Sequence, residues 1–188
     1  MEPHFDASVK AVERLLRYSA FHAEYLSRFV EGEDLKFHLD HFLLTLTAAA
    51  QNIIGLAPNG RDGSWINAPT ALTLRTNPSL QAVCWAWYAR NHVAHSYVTL
   101  VWSDEAELTF GDGFGTLNGS AINAVLKIEL QPVEDDEGNA IFAPEAQPHE
   151  VAEESLSFWR SALAYVLMKQ KQERYTYTEL ANHWKASR

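Results

Sequence analysis

The sequence predicts a mainly α-helical bundle of four or five helices with a small antiparallel β insertion at 98–143. Three observations carry this. Apolar residues recur at three- and four-residue spacings over roughly 5–56, 79–97 and 148–175, the period of an amphipathic helix. Between the last two stretches the pattern changes to β-branched runs and alternation, Val98-Thr99-Leu100-Val101-Trp102 and Ala124-Val125-Leu126-Lys127-Ile128-Glu129-Leu130, which read as strands. No repeat, low-complexity tract or linker divides the chain, and 188 residues is a length for one domain, here 1–188.

Taken in order, Phe5, Val9, Val12, Leu16, Ala23, Leu26 and Val30 form the stripe of a first helix, with Asp6 as its N-cap. Glu31-Gly32-Glu33-Asp34 breaks it, with the glycine as stop. Leu35, Leu39, Phe42, Leu46, Ala49, Ile53 and Leu56 give a second helix, the antiparallel partner of the first. Its small run Thr47-Ala48-Ala49-Ala50 allows close approach. Pro58, Pro69 and Pro78 with Gly60 and Gly63 make 57–78 a connector, pinned by Trp65 and Ile66. A third helix starts at Pro78-Ser79 and runs to about Tyr97. The insertion follows: Val98–Trp102, then Glu107–Phe110, glycine turns at 111, 113, 115 and 119, and the 124–130 strand. Asp135–Asn139 is a turn from which Ala140-Ile141-Phe142 pairs back. Helix returns from Pro148 to about Tyr175, and a last helix covers 177–186, with Thr176 and Glu179 spaced as a capping box.

Composition excludes several classes. Hydrophobic residues are 47% and charged residues 21%, ordinary for a globular protein and wrong for a disordered one. One cysteine, Cys84, excludes an intramolecular disulfide and a Cys-based zinc cluster. A net charge of −9 argues against a broad basic surface for nucleic acid but leaves room for a small local site. No apolar run reaches the roughly 20 residues of a membrane span. MEPHFDASVK lacks the basic start and apolar core of a secretory signal, so a cytoplasmic location is expected.

One segment stands apart: Arg90-Asn91-His92-Val93-Ala94-His95-Ser96-Tyr97, at the end of an apolar helix. Four residues separate Arg90 from His95, a polar Asn91 follows the arginine, and Tyr97 lies two beyond the histidine. This resembles the RX4-6H signature of the HEPN superfamily (higher eukaryotes and prokaryotes nucleotide-binding), in the RX4HXY form of toxins paired with nucleotidyltransferase antitoxins. The family's plan, a bundle built on a long antiparallel helix pair with the motif on a later helix, fits 4–97 and 148–175. The β insertion departs from the minimal fold.

The resemblance implies a metal-independent endoribonuclease acting as a homodimer on an RNA substrate, in a toxin–antitoxin or phage-defence setting, with no cofactor. Arg90 and His95 would be catalytic, and Asn91 and Tyr97 supporting. The residue types suit the chemistry. Attack by the RNA's 2′-hydroxyl needs a base, and the departing 5′-oxygen needs an acid; histidine can serve as either near neutral pH. Arginine stays charged and matches the phosphate's oxygens as negative charge gathers on them. Products would be a 2′,3′-cyclic phosphate and a 5′-hydroxyl. Five positions on an α-helix rotate by about 140°, so Arg90 must reach round the helix or the helix must change near its end. In HEPN proteins two motifs meet across a two-fold cleft. Asn91 would orient His95 or the phosphate. Tyr97 would hydrogen-bond near the site, where a matching tyrosine in the toxin form can be modified by the partner enzyme.

Two other readings stand beside this one. A non-catalytic HEPN-type module would bind nucleotide, RNA or protein with the same residues. His38-x-x-His41 and His92-x-x-His95 each place two imidazoles one turn apart, enough for a His-ligated metal in a bundle. His22 and His183 read as surface or packing residues. Trp85, Trp87 and Tyr88 could stack bases but fit core better, as do Trp102 and Trp159. Gly111–Gly115 is a turn without the GxxxxGK[ST] pattern. Cys84 reads as an inert buried thiol, and Glu134–Glu137 as a solvated turn. No GxSxG element is present.

Overall fold

Two helices of equal length, α1 (Pro3–Leu26) and α2 (Gly32–Gly55), form the antiparallel pair on which the other helices pack. The computed structural model describes residues 3–28, 32–56, 68–92, 98–103, 125–169 and 175–188. The α1 stripe buries Val12, Leu16, Ala23 and Leu26, and α2 answers with Leu39, Phe42, Leu43, Leu46, Ala49, Ala50 and Ile53. Ser19 is fully buried between them; its Oγ donates to Leu15 O and lies 3.0 Å from Thr45 Oγ1. A small hydroxyl that bonds back to its own helix lets the two backbones approach.

Four shorter helices follow: α3 (Ala71–Thr76), α4 (Gln81–Ala89), α5 (Pro148–Met168) and α6 (Tyr177–Ala186). α5 packs against α1, α2 and α4, and α6 lies on α5. Trp159 and Trp184 anchor that side. Trp184 stands edge-on to Phe158 at 5.7 Å, and its Nε1 donates to Ser157 Oγ. Thr176 caps α6 as its spacing predicts: its Oγ1 accepts from Glu179 N, and its own N–H donates to the Glu179 carboxylate.

The insertion is antiparallel where it is described. Strand β1 (Val98–Ser103) pairs with β2 (Val125–Leu130), from Val98 opposite Leu130 to Ser103 opposite Val125. A second, two-residue pair joins β3 (Val133–Glu134) to β4 (Ala140–Ile141). The predicted elements at 107–119 lie outside the described residues. The mainly helical fold with a small antiparallel β element is thus the architecture observed.

Several boundaries differ from those read in the sequence. α1 ends at Leu26, before the glycine expected to stop it, and Gly32 opens α2 instead. Asp6 sits inside the first turn of α1 and is not its cap. α3 occupies part of the expected connector. α5 stops at Met168 rather than near Tyr175.

The acidic run at 134–137 is not simply solvated. Asp135 is only 6% exposed. Its carboxylate accepts from the backbone N–H groups of Ala71, Glu137 and Asn139 and from Asn139 Nδ2. It therefore closes the β3–β4 turn, where Gly138 supplies the positive φ of +78°, and ties that turn to the start of α3. Burial pushes this carboxyl up, but the hydrogen bonds from Asn139, Ala71 and Glu137 outweigh it and hold it below the ordinary carboxylate value. A depressed folded value stabilises the fold above the unfolded value and is lost as pH falls through the folded one. Asp135→Ala is expected to cost about 1–3 kcal/mol at neutral pH, the penalty for stranding buried donors. The gap to wild type should narrow as pH falls below the unfolded carboxylate's value of about 4, measured by denaturant unfolding at each pH.

Candidate functional site

α4 carries the segment of interest, and it is interior almost all round. Ala82, Val83, Cys84, Trp85, Ala86, Tyr88 and Ala89 are buried. A helix without a polar face belongs inside a bundle, and this one lies between α5, α2 and the β3–β4 hairpin. Trp85 donates from Nε1 to Gln131 O at 2.8 Å. Trp87 packs on Trp159, ring centres 6.0 Å apart. Trp85, Tyr88 and Trp159 are therefore core residues, and Trp87 is half-buried against them. Burial pushes the Cys84 thiol up to about 12, so no thiolate is available at neutral pH and the cysteine is inert.

The α-helical hydrogen-bond pattern of α4 ends at Ala89, and Arg90–His92 continue as a single 3₁₀ turn. Arg90 begins that turn half-buried at the bundle surface, and Asn91 is exposed. The Arg90 guanidinium donates to Asn91 Oδ1 twice, from Nε at 3.1 Å and from Nη2 at 2.7 Å. Among the described residues, the Asn91 side-chain oxygen holds Arg90. An amide steers the guanidinium without cancelling its charge, as a carboxylate would. The ion pairs among the described residues are Glu24–Arg28 and Lys36–Asp40, and neither involves Arg90. His95 and Tyr97 lie outside the described residues. The chain is described again from Val98, which pairs with Leu130, one residue before the Gln131 carbonyl held by Trp85.

His38 and His41 are half-buried on α2, as expected of helix-surface residues. Among the described residues their histidine neighbour is His22 of α1; the side chain of His92 and the whole of His95 lie outside the described residues. His22 Nδ1 lies 3.0 Å from His38 Nδ1, and the His22 and His41 ring centres are 5.3 Å apart. The sequence held the signal for this: His22 stands four residues before the end of α1 at Leu26 and His38 six after the start of α2 at Gly32, so an antiparallel pair brings them near each other.

Among the described residues no helix is long and apolar enough to cross a membrane. No protein-family model, curated protein or solved structure matches the chain.

Proposed function

We propose that the protein is a HEPN-like, metal-independent endoribonuclease that works as a cytoplasmic homodimer in a toxin–antitoxin or phage-defence setting. The observation that supports this reading best is Arg90. It emerges from the end of a buried helix, is steered by a neutral amide, and pairs with no carboxylate among the described residues. A buried helix gives the arginine a rigid base, which is what positioning a phosphate demands.

In this account Arg90 binds the scissile phosphate and stabilises the charge that builds on its oxygens. Asn91 positions Arg90. His95 exchanges the protons of the 2′-hydroxyl and the leaving 5′-oxygen. A two-fold dimer supplies a second arginine and histidine, and concentrates positive charge locally on a chain of net charge −9. Tyr97, two residues beyond His95 in the sequence, would be the residue that a nucleotidyltransferase-type antitoxin modifies. The test is cleavage of total and transfer RNA in EDTA by wild type and by His95→Ala. Cleavage that persists in EDTA and falls by about 10²–10⁴-fold in the variant is expected. RNA binding without cleavage by the wild-type dimer would favour the non-catalytic module instead.

A further inference from the structure

We propose that His22 and His38 form an interhelical seat for a divalent transition-metal ion of the kind that prefers imidazole: Cu²⁺, Ni²⁺ or Zn²⁺. This site lies on the α1–α2 pair and takes no part in the proposed RNA chemistry.

The geometry is the first argument. Two imidazole nitrogens each about 2.0–2.1 Å from one ion stand about 2.9–3.4 Å apart at the angles such ions accept. His22 Nδ1 and His38 Nδ1 are 3.0 Å apart. Without an ion, that separation is met when one ring carries its proton on Nδ1 and donates to the other; an ion is bound when that ring carries the proton on Nε2 instead, a tautomer change that releases no proton. Among the described residues no group of three or more His, Cys, Asp or Glu is placed to hold an ion. The seat is therefore a two-histidine one, with its remaining positions open to water.

The surroundings are the second argument. Both rings are fixed by aromatic neighbours, as metal-binding imidazoles need to be. Tyr25 stacks on His38 at 4.4 Å and 8°, and Phe21 meets His22 edge-on at 5.2 Å. Phe21 and Phe37 are 51% and 52% exposed, so they shield the pair while leaving it open to solvent. His41 Nδ1 is held at 2.9 Å from Phe37 O, an acceptor, so this nitrogen carries the proton and is not a ligand. Asp34 lies close enough to His38 for its negative charge to favour a cation there.

The experiment is a calorimetric titration of chelator-stripped, desalted full-length protein with Cu²⁺ and then Zn²⁺. The same titrations are run on His41→Ala and on the His22→Ala/His38→Ala double variant, with helical circular dichroism confirming that each is folded. Wild type and His41→Ala are expected to bind one ion per chain at this site, Cu²⁺ more tightly than Zn²⁺. The double variant should lose about 10–100-fold or more in affinity, and the ion should raise the unfolding midpoint of wild type but not of the double variant. His22→Gln/His38→Gln serves in its place if the alanine pair does not fold. Equal binding by wild type and a folded double variant would overturn the proposal, as would the absence of binding by wild type. Neither result bears on RNA cleavage.

Discussion

Arg90→Ala is expected to reduce RNA cleavage by about 10²–10³-fold, the usual cost of removing one preorganised group that stabilises transition-state charge. Arg90→Lys should recover little of this. A lysine keeps the charge but not the planar fork that grips two phosphate oxygens, nor the paired donors that meet Asn91 Oδ1 at 3.1 and 2.7 Å. Asn91→Ala should cost less, up to about 10²-fold, because it loosens the guanidinium without removing it. The variants should unfold within about 0.5 kcal/mol of wild type, as substitutions at surface positions do. Initial rates on a defined RNA, measured with matched unfolding curves, check the ranking. A folded Arg90→Ala protein that cleaves at the wild-type rate would remove this arginine from the mechanism.

The largest stability effect should come from Trp85. Its ring is fully buried in α4, and its indole N–H is tied to Gln131 O at 2.8 Å. Trp85→Ala removes a large side chain from a packed interior and strands that carbonyl, and should cost about 3–5 kcal/mol. Trp85→Phe keeps most of the apolar volume and loses chiefly the hydrogen bond, so about 1–2 kcal/mol is expected. Denaturant unfolding followed by circular dichroism separates the two. Because Gln131 continues directly from β2, whose Leu130 pairs with Val98, Trp85→Phe also tests whether the insertion supports the site. Its cleavage rate should fall by more than its loss of folded protein explains.

The elements most legible in the sequence are those whose signals are local and agree with one another. α2 has an unbroken apolar period, α6 has Thr176 and Glu179 at its start, and the β3–β4 turn has Asp135 and Gly138 at the positions it requires. α3 is not legible in the sequence because it has no buried residue and so leaves no apolar stripe; its start is held by the Thr70 N–H on Thr73 Oγ1 and by Asp135, sixty-four residues away. The glycine at 32 reads as the stop of α1, but α1 ends at Leu26 and its last turn loosens in Ser27 and Arg28, whose N–H groups bond to Ala23 O and Tyr25 O. In the candidate site, Arg90 and Asn91 were legible as a pair of residue types but not as a contact. Of the two ways the sequence leaves open, Arg90 reaching round the helix or the helix changing near its end, the change is seen: the α-helix ends at Ala89 and a 3₁₀ turn follows. The His22–His38 contact is not legible from apolar stripes, because it joins polar residues that the α1–α2 pair places opposite each other.

The chemical identity of the RNA ends tests the central claim most directly. Wild-type protein incubated with RNA in EDTA should leave 2′,3′-cyclic phosphates and 5′-hydroxyls, the products of attack by the substrate's own 2′-oxygen. Fragments ending in a 3′-hydroxyl and a 5′-phosphate, or cleavage that survives in His95→Ala, would contradict the account.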